Sequence, residues 1–177
     1  MPLKNTDDRY GWIAISLHWI VAVVIIGLLC LGLYMTGLPV GIEKLKLYGW
    51  HKEFGLLVLL LVCFRLYWRF INRTPRLSIP WYEKLAARLV HWAFYGFMLA
   101  MPLTGWLMSS AAGVPVSFFG LFIFPTLIAP NPDLLDVFRT IHNYLAYVLI
   151  ATIVLHTLAA LKHHFIDKDD ILRRMIS

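Results

Sequence analysis

Residues 141–161 read IHNYLAYVLIATIVLHTLAAL and carry no Asp, Glu, Lys or Arg. As one helix they rise about 30 Å, the thickness of a bilayer's hydrocarbon core. Two histidines interrupt the run. His142 and His156 are 14 residues apart. That is about 21 Å along the helix and about 40° short of four full turns, so both rings share one face. An ionisable side chain inside a span is costly and marks function by default.

Three further runs at residues 12–35, 50–71 and 87–108 have comparable length and apolarity. Of the 177 residues, 60% are hydrophobic and 15% charged, against roughly 45–50% and 25% in soluble domains. Mean hydropathy is +0.71. This composition excludes a disordered chain, a disulfide scaffold and a soluble core. It predicts an all-α membrane protein, one four-transmembrane-helix bundle over residues 1–177. The first run follows Lys4 and Arg9 but is too long for a signal peptide, and no small-residue cleavage site closes it. Residues 111–130 are apolar yet hold Pro115, Pro125 and Pro130. They read as a loop with short interfacial pieces, because proline removes backbone donors that lipid cannot replace. Residues 162–177 read as a short basic helix on the membrane surface.

The charge of +6 and pI near 9.5 act as an orientation signal here, not as a nucleic-acid surface. With the N-terminus inside, twelve of the sixteen Lys and Arg residues are cytoplasmic. Both termini are therefore expected in the cytoplasm.

In that topology the histidines pair by depth. His51, in the first turn of the second span, matches His142. His18, about 9 Å into the first span, matches His156. Two imidazole pairs stacked across a membrane suit two planar macrocycles, each iron held from both faces. Zinc fits less well, since it takes its ligands at one centre. Cys30 and Cys63 form no Cys-x-x-Cys-His motif, so any haem is b-type and non-covalent; both cysteines read as packing residues. His91, near the inner end of the third span, competes with His18 for the inner iron or serves a propionate or proton path. His163 shares the face of His156 and can donate protons or bond quinone. Arg65 and Arg69 are candidates for haem propionates, with Arg69 alternatively a snorkelling anchor. Gly55 and Gly105 offer close approach of a helix backbone. Lys44, Lys46, Lys52 and Arg139 flank the outer pair and can steer an anion.

These residues in this order resemble the bacterial di-haem cytochrome b561 family over nearly the whole chain. The resemblance rests on His18-Trp19, on His51 with Gly55, and on Arg65 and Arg69 before Pro75. It continues through His91 with Tyr95, Pro102, Gly105, His142, His156 and His163. It implies a four-helix bundle with two haems b on His18, His51, His142 and His156, exchanging electrons with membrane quinone. The branch of similar length includes enzymes that oxidise superoxide and reduce ubiquinone. Related di-haem subunits link a protein partner, a hydrogenase or other dehydrogenase, to quinone. A small proton-coupled carrier is the reading without haem.

Overall fold

The computed structural model describes residues 2–76 and 79–176. Four long helices dominate: α1 (Trp12–Thr36), α2 (Ile42–Ile71), α3 (Trp81–Ala111) and α4 (Pro132–Lys162). Close packing runs in chain order, α1 on α2, α2 on α3 and α3 on α4.

Burial is sparse and follows lipid rules. Val21, Ile25, Val58, Val62, Tyr95, Met98 and Leu149 form the core, while Val23, Leu60, Leu89, Val154, Leu155 and Leu158 face outward. In water this many exposed aliphatics would drive aggregation; against acyl chains they are matched to the solvent. Three helical stretches, Trp12–Thr36, Ile42–Ile71 and Pro132–Asp167, are long and apolar enough to cross a membrane. α3 is equally long at 31 residues but starts with Glu83, Lys84 and Arg88 and contains Pro102.

Each helix begins where local chemistry allows. α4 starts at Asn131, whose side chain accepts from Leu134 N–H at 3.1 Å, with Pro132 in the first turn. α1 starts at Gly11, where a Cβ would collide with the carbonyls of Leu3 and Lys4. Its far end is capped by Lys44 Nζ, which donates to Leu38 O at 2.7 Å and Thr36 O at 3.4 Å.

Hydrogen bonds define the two ends of the molecule. At one, Asn5 Nδ2 donates to Arg73 O (2.8 Å), Arg76 N–H to Asp7 O (2.9 Å) and Arg174 Nη1 to Arg76 O (2.8 Å). Trp19 Nε1 donates to Met175 O at 2.6 Å. This termini end gathers both chain ends and the α2–α3 link. At the other end, β1 (Val116–Phe118) and β2 (Phe122–Phe124) form an antiparallel hairpin. The hairpin packs on α2 through Phe119 and Phe54, with ring centroids 5.3 Å apart. Trp106 Nε1 to Pro125 O (3.0 Å) and Leu127 N–H to Ser110 Oγ (3.1 Å) tie the following segment to α3.

Four expectations change. The helices outrun the apolar runs: α2 begins at Ile42, eight residues before Trp50, because its first turns lie in a charged stretch that hydropathy alone misses. The proline-rich loop contains a true hairpin, closed by positive-φ Phe119 and Gly120. The tail after Lys162 is not a continuous helix; it is a π-helical turn (His163–Asp167), a left-handed Lys168 and a 3-10 turn (Arg173–Met175). Cys30 and Cys63 face outward and pack no core.

Candidate functional site

α4 meets α1 and α2 through histidine rings. At the hairpin end His51 and His142 have ring centroids 6.3 Å apart at 72°. At the termini end His18 and His156 are also 6.3 Å apart, at 59°. A metal–imidazole bond of about 2 Å on each side, plus the ring radii, puts two rings held across one ion roughly 6 Å apart. Both pairs stand at that separation.

The hairpin-end rings are cradled by glycine. A Cβ at Gly32 would stand 3.3 Å from His51 Cε1, and one at Gly105 would stand 3.3 Å from His142 Cε1. In each case the Nδ1–Cε1 edge is the part of the ring nearest the glycine of the neighbouring helix. His51 Nδ1 is buried without a partner among the described residues. His142 Nδ1 lies 3.0 Å from Thr104 Oγ1. Lys52, beside His51, donates from Nζ to Ser109 Oγ at 3.3 Å. At Gly55 a Cβ would meet no atom within 4 Å.

The termini-end rings stand among cations and aromatics. Arg65 Nη2 donates to His18 Nδ1 at 2.9 Å. The Arg65 and Arg69 guanidiniums lie 5.8 and 5.7 Å from the ring of buried Tyr95. His156 also touches Phe94 (5.2 Å) and His91 (5.9 Å, 67°). His91 thus reaches His156 as closely as His18 does. It does so from α3, which packs directly on α4. Just outside α1, burial pushes the Tyr10 phenol above its usual value, partly offset by Arg69.

His163 is drawn into a carboxylate cluster. Its Nδ1 lies 2.7 Å from Asp169 Oδ2 and 3.2 Å from Asp167 Oδ2. Lys162 Nζ joins Asp167 (2.7 Å) to Glu83 (3.2 Å). Glu83, Asp167 and Asp169 line a surface cavity of about 290 Å³ with Ile79 and Pro80. Of the four flanking cations, Lys44 is occupied in capping α1, and Arg139 pairs with Asp136 at 2.7 Å. Sequence reasoning missed Gly32, Thr104 and Phe94. Small residues and aromatics are common in spans, and only the facing helix reveals which ones matter.

The family model for prokaryotic cytochrome b561 matches residues 9–177. The chain belongs to the prokaryotic cytochrome b561 family. Cytochrome b561 homolog 2 of Escherichia coli (strain K12) is 37% identical, the alignment covering 99% of this chain and 95% of the relative. Cytochrome b561 homolog 1 of the same organism is 30% identical, covering 96% and 97%. A Yersinia pestis protein named probable superoxide oxidase CybB is 29% identical over 95% and 96%. Cytochromes of the b561 family are membrane electron-transfer proteins that bind b-type haem. The residues present fit that group. The two imidazole pairs have the separation a shared iron requires, and the glycine-cradled rings at the hairpin end are held in place by backbone.

Proposed function

We propose that this chain is a stand-alone di-haem oxidoreductase with four spans and both termini in the cytoplasm of the bacterial inner membrane. His51 and His142 hold one haem b; His18 and His156 hold the other. The observation that carries this reading is the repeated 6.3 Å imidazole separation at two depths. Bound there, haem iron supplies one-electron chemistry.

The reaction we assign is superoxide oxidation at the hairpin side and ubiquinone reduction at the termini side. Two superoxide anions each give up one electron and leave as dioxygen. One ubiquinone gains those two electrons and two protons. The name of the Yersinia pestis relative supports superoxide as the donor.

The side chains divide this work. Lys52, beside His51, supplies local positive charge for an approaching anion. The apolar hairpin packs on α2 at that end through Phe119 and Phe54. At the termini side Arg65 and Arg69 bring cations to the second pair, where haem carboxylates need partners. For neutral His18 to ligate through Nε2, its Nδ1 must carry the proton, so Arg65 must release that nitrogen and becomes free for a carboxylate. His163, with Asp167 and Asp169 beside a cavity, is the group we assign to deliver protons to quinone.

The test uses the purified protein alone. A reduced-minus-oxidised spectrum of b type, two haems per chain and superoxide-driven ubiquinone reduction are expected. That reduction should slow as salt rises. A colourless protein or a single haem would overturn the di-haem reading. Two haems without superoxide-driven reduction would favour the dehydrogenase-linked role instead.

A further inference from the structure

His142 is the ligand candidate whose ring nitrogens the surroundings distinguish most sharply, and the distinction comes from Thr104. The Thr104 hydroxyl has one proton and two lone pairs. It sits 2.8 Å from Met101 O, a carbonyl, which can only accept. The hydroxyl proton therefore goes to Met101, and only lone pairs face His142 Nδ1 at 3.0 Å. A contact of that length between two acceptors would be repulsive in a medium without water. His142 Nδ1 must then carry the proton and donate it. Nε2 is left with its lone pair free.

We propose that Thr104 is a positioning residue that fixes the His142 tautomer and makes its Nε2 the better electron donor to the hairpin-end haem. The inference rests on the haem assignment above. Its physical content is separate: a hydrogen-bond acceptor on the remote ring nitrogen of a metal ligand fixes the ring and raises its basicity. A more basic ligand favours ferric over ferrous iron and lowers the reduction potential. Gly105, next in sequence, lets the ring lie close enough to reach the hydroxyl. Among the described residues no such acceptor faces the ring of the other three candidates. His51 Nδ1 is buried and unpartnered, His18 Nδ1 faces a guanidinium, and the His156 ring packs against the rings of His18, His91 and Phe94.

Two substitutions separate the hydroxyl from its shape. Thr104→Val keeps the volume and removes the hydroxyl, leaving the Met101 carbonyl; Thr104→Ser keeps the hydroxyl and removes the methyl. Both are made in the full-length holoprotein, and haem content and midpoint potentials are read by spectroelectrochemical titration. In Thr104→Val one of two redox waves is expected to move to more positive potential and the other to stay. Thr104→Ser should match the unsubstituted protein. Loss of one haem in the valine variant but not in the serine variant also supports the proposal. Unmoved waves in Thr104→Val, or equal loss in both variants, overturn it. Should the unsubstituted chain bind no haem, the haem assignment fails. The tautomer is then read from ¹⁵N-histidine shifts, where an Nε2-protonated His142 overturns this proposal.

Discussion

The two histidine pairs share one separation and differ in almost everything around it. The hairpin-end pair is held by backbone and a neutral hydroxyl: Gly32, Gly105 and Thr104, under an aromatic hairpin. The termini-end pair stands among Arg65, Arg69, His91 and Tyr95. A nearby cation stabilises reduced haem, which carries one more electron than the oxidised form, and burial strengthens the effect. Two chemically identical cofactors would then differ in potential, with the termini-end site the more oxidising. That order would run electrons from hairpin to termini, the direction proposed for superoxide and quinone.

The largest expected effect comes from removing a ligand. His142→Ala should lower haem content from two per chain to one and spare the termini-end signal; His156→Ala should do the reverse. A pyridine haemochrome ratio measures both. If either change removes both haems from protein that still folds, the pairs are not independent.

Next come the glycine cradles. Gly105→Ala or Gly32→Ala places a methyl 3.3 Å from an imidazole carbon. The ring must move by a few tenths of an ångström, and overpacking of this kind costs about 1–3 kcal/mol. Partial loss of the hairpin-end haem and a lower Tm are expected. Gly27→Ala, at an exposed α1 position where a Cβ meets nothing within 4 Å, is the control and should be tolerated. Equal damage from all three would show that helix packing, not the rings, demands glycine.

How much of this was readable beforehand follows from which forces act locally. Apolar runs revealed the four helices, since length and hydropathy are one-dimensional quantities. The 14-residue spacing and depth matching set His51 against His142 and His18 against His156, whose rings lie 6.3 Å apart in both cases, while His91, the rival of His18, lies 5.9 Å from His156. The roles of Gly32 and Thr104 were not legible, because each depends on which helix lies opposite. The hairpin was hidden because its residues are as apolar as a span, and the prolines said only where helix stops. The tail was misread because its basic residues suggest a surface helix. Instead the imidazole of His163 and the ammonium of Lys162 gather Asp167 and Asp169 into a local turn.

The cation contrast itself is tested by Arg65→Gln. Loss of that charge should move the termini-end wave to more negative potential and leave the hairpin-end wave in place, narrowing the gap between them. The change should be smaller than loss of a ligand, since Arg69 remains 5.7 Å from Tyr95. Superoxide-driven quinone reduction should slow accordingly. A shift of both waves by the same amount would mean that Arg65 acts on the whole membrane field and not on one site.

The smallest effect is expected where the termini end is tied together. Trp19 adjoins His18, with ring centroids 5.3 Å apart, and its indole N–H donates to Met175 O. Trp19→Phe keeps an aromatic ring beside His18 and removes that donor. A single neutral hydrogen bond of this kind is worth about 1 kcal/mol. The tail should become more accessible to carboxypeptidase, with a slight fall in Tm and both haems retained. Because the hairpin end has no contact with the tail among the described bonds, its redox wave should not respond. A response there would mean that the two ends communicate through the helices, and their difference could no longer be assigned to local surroundings alone.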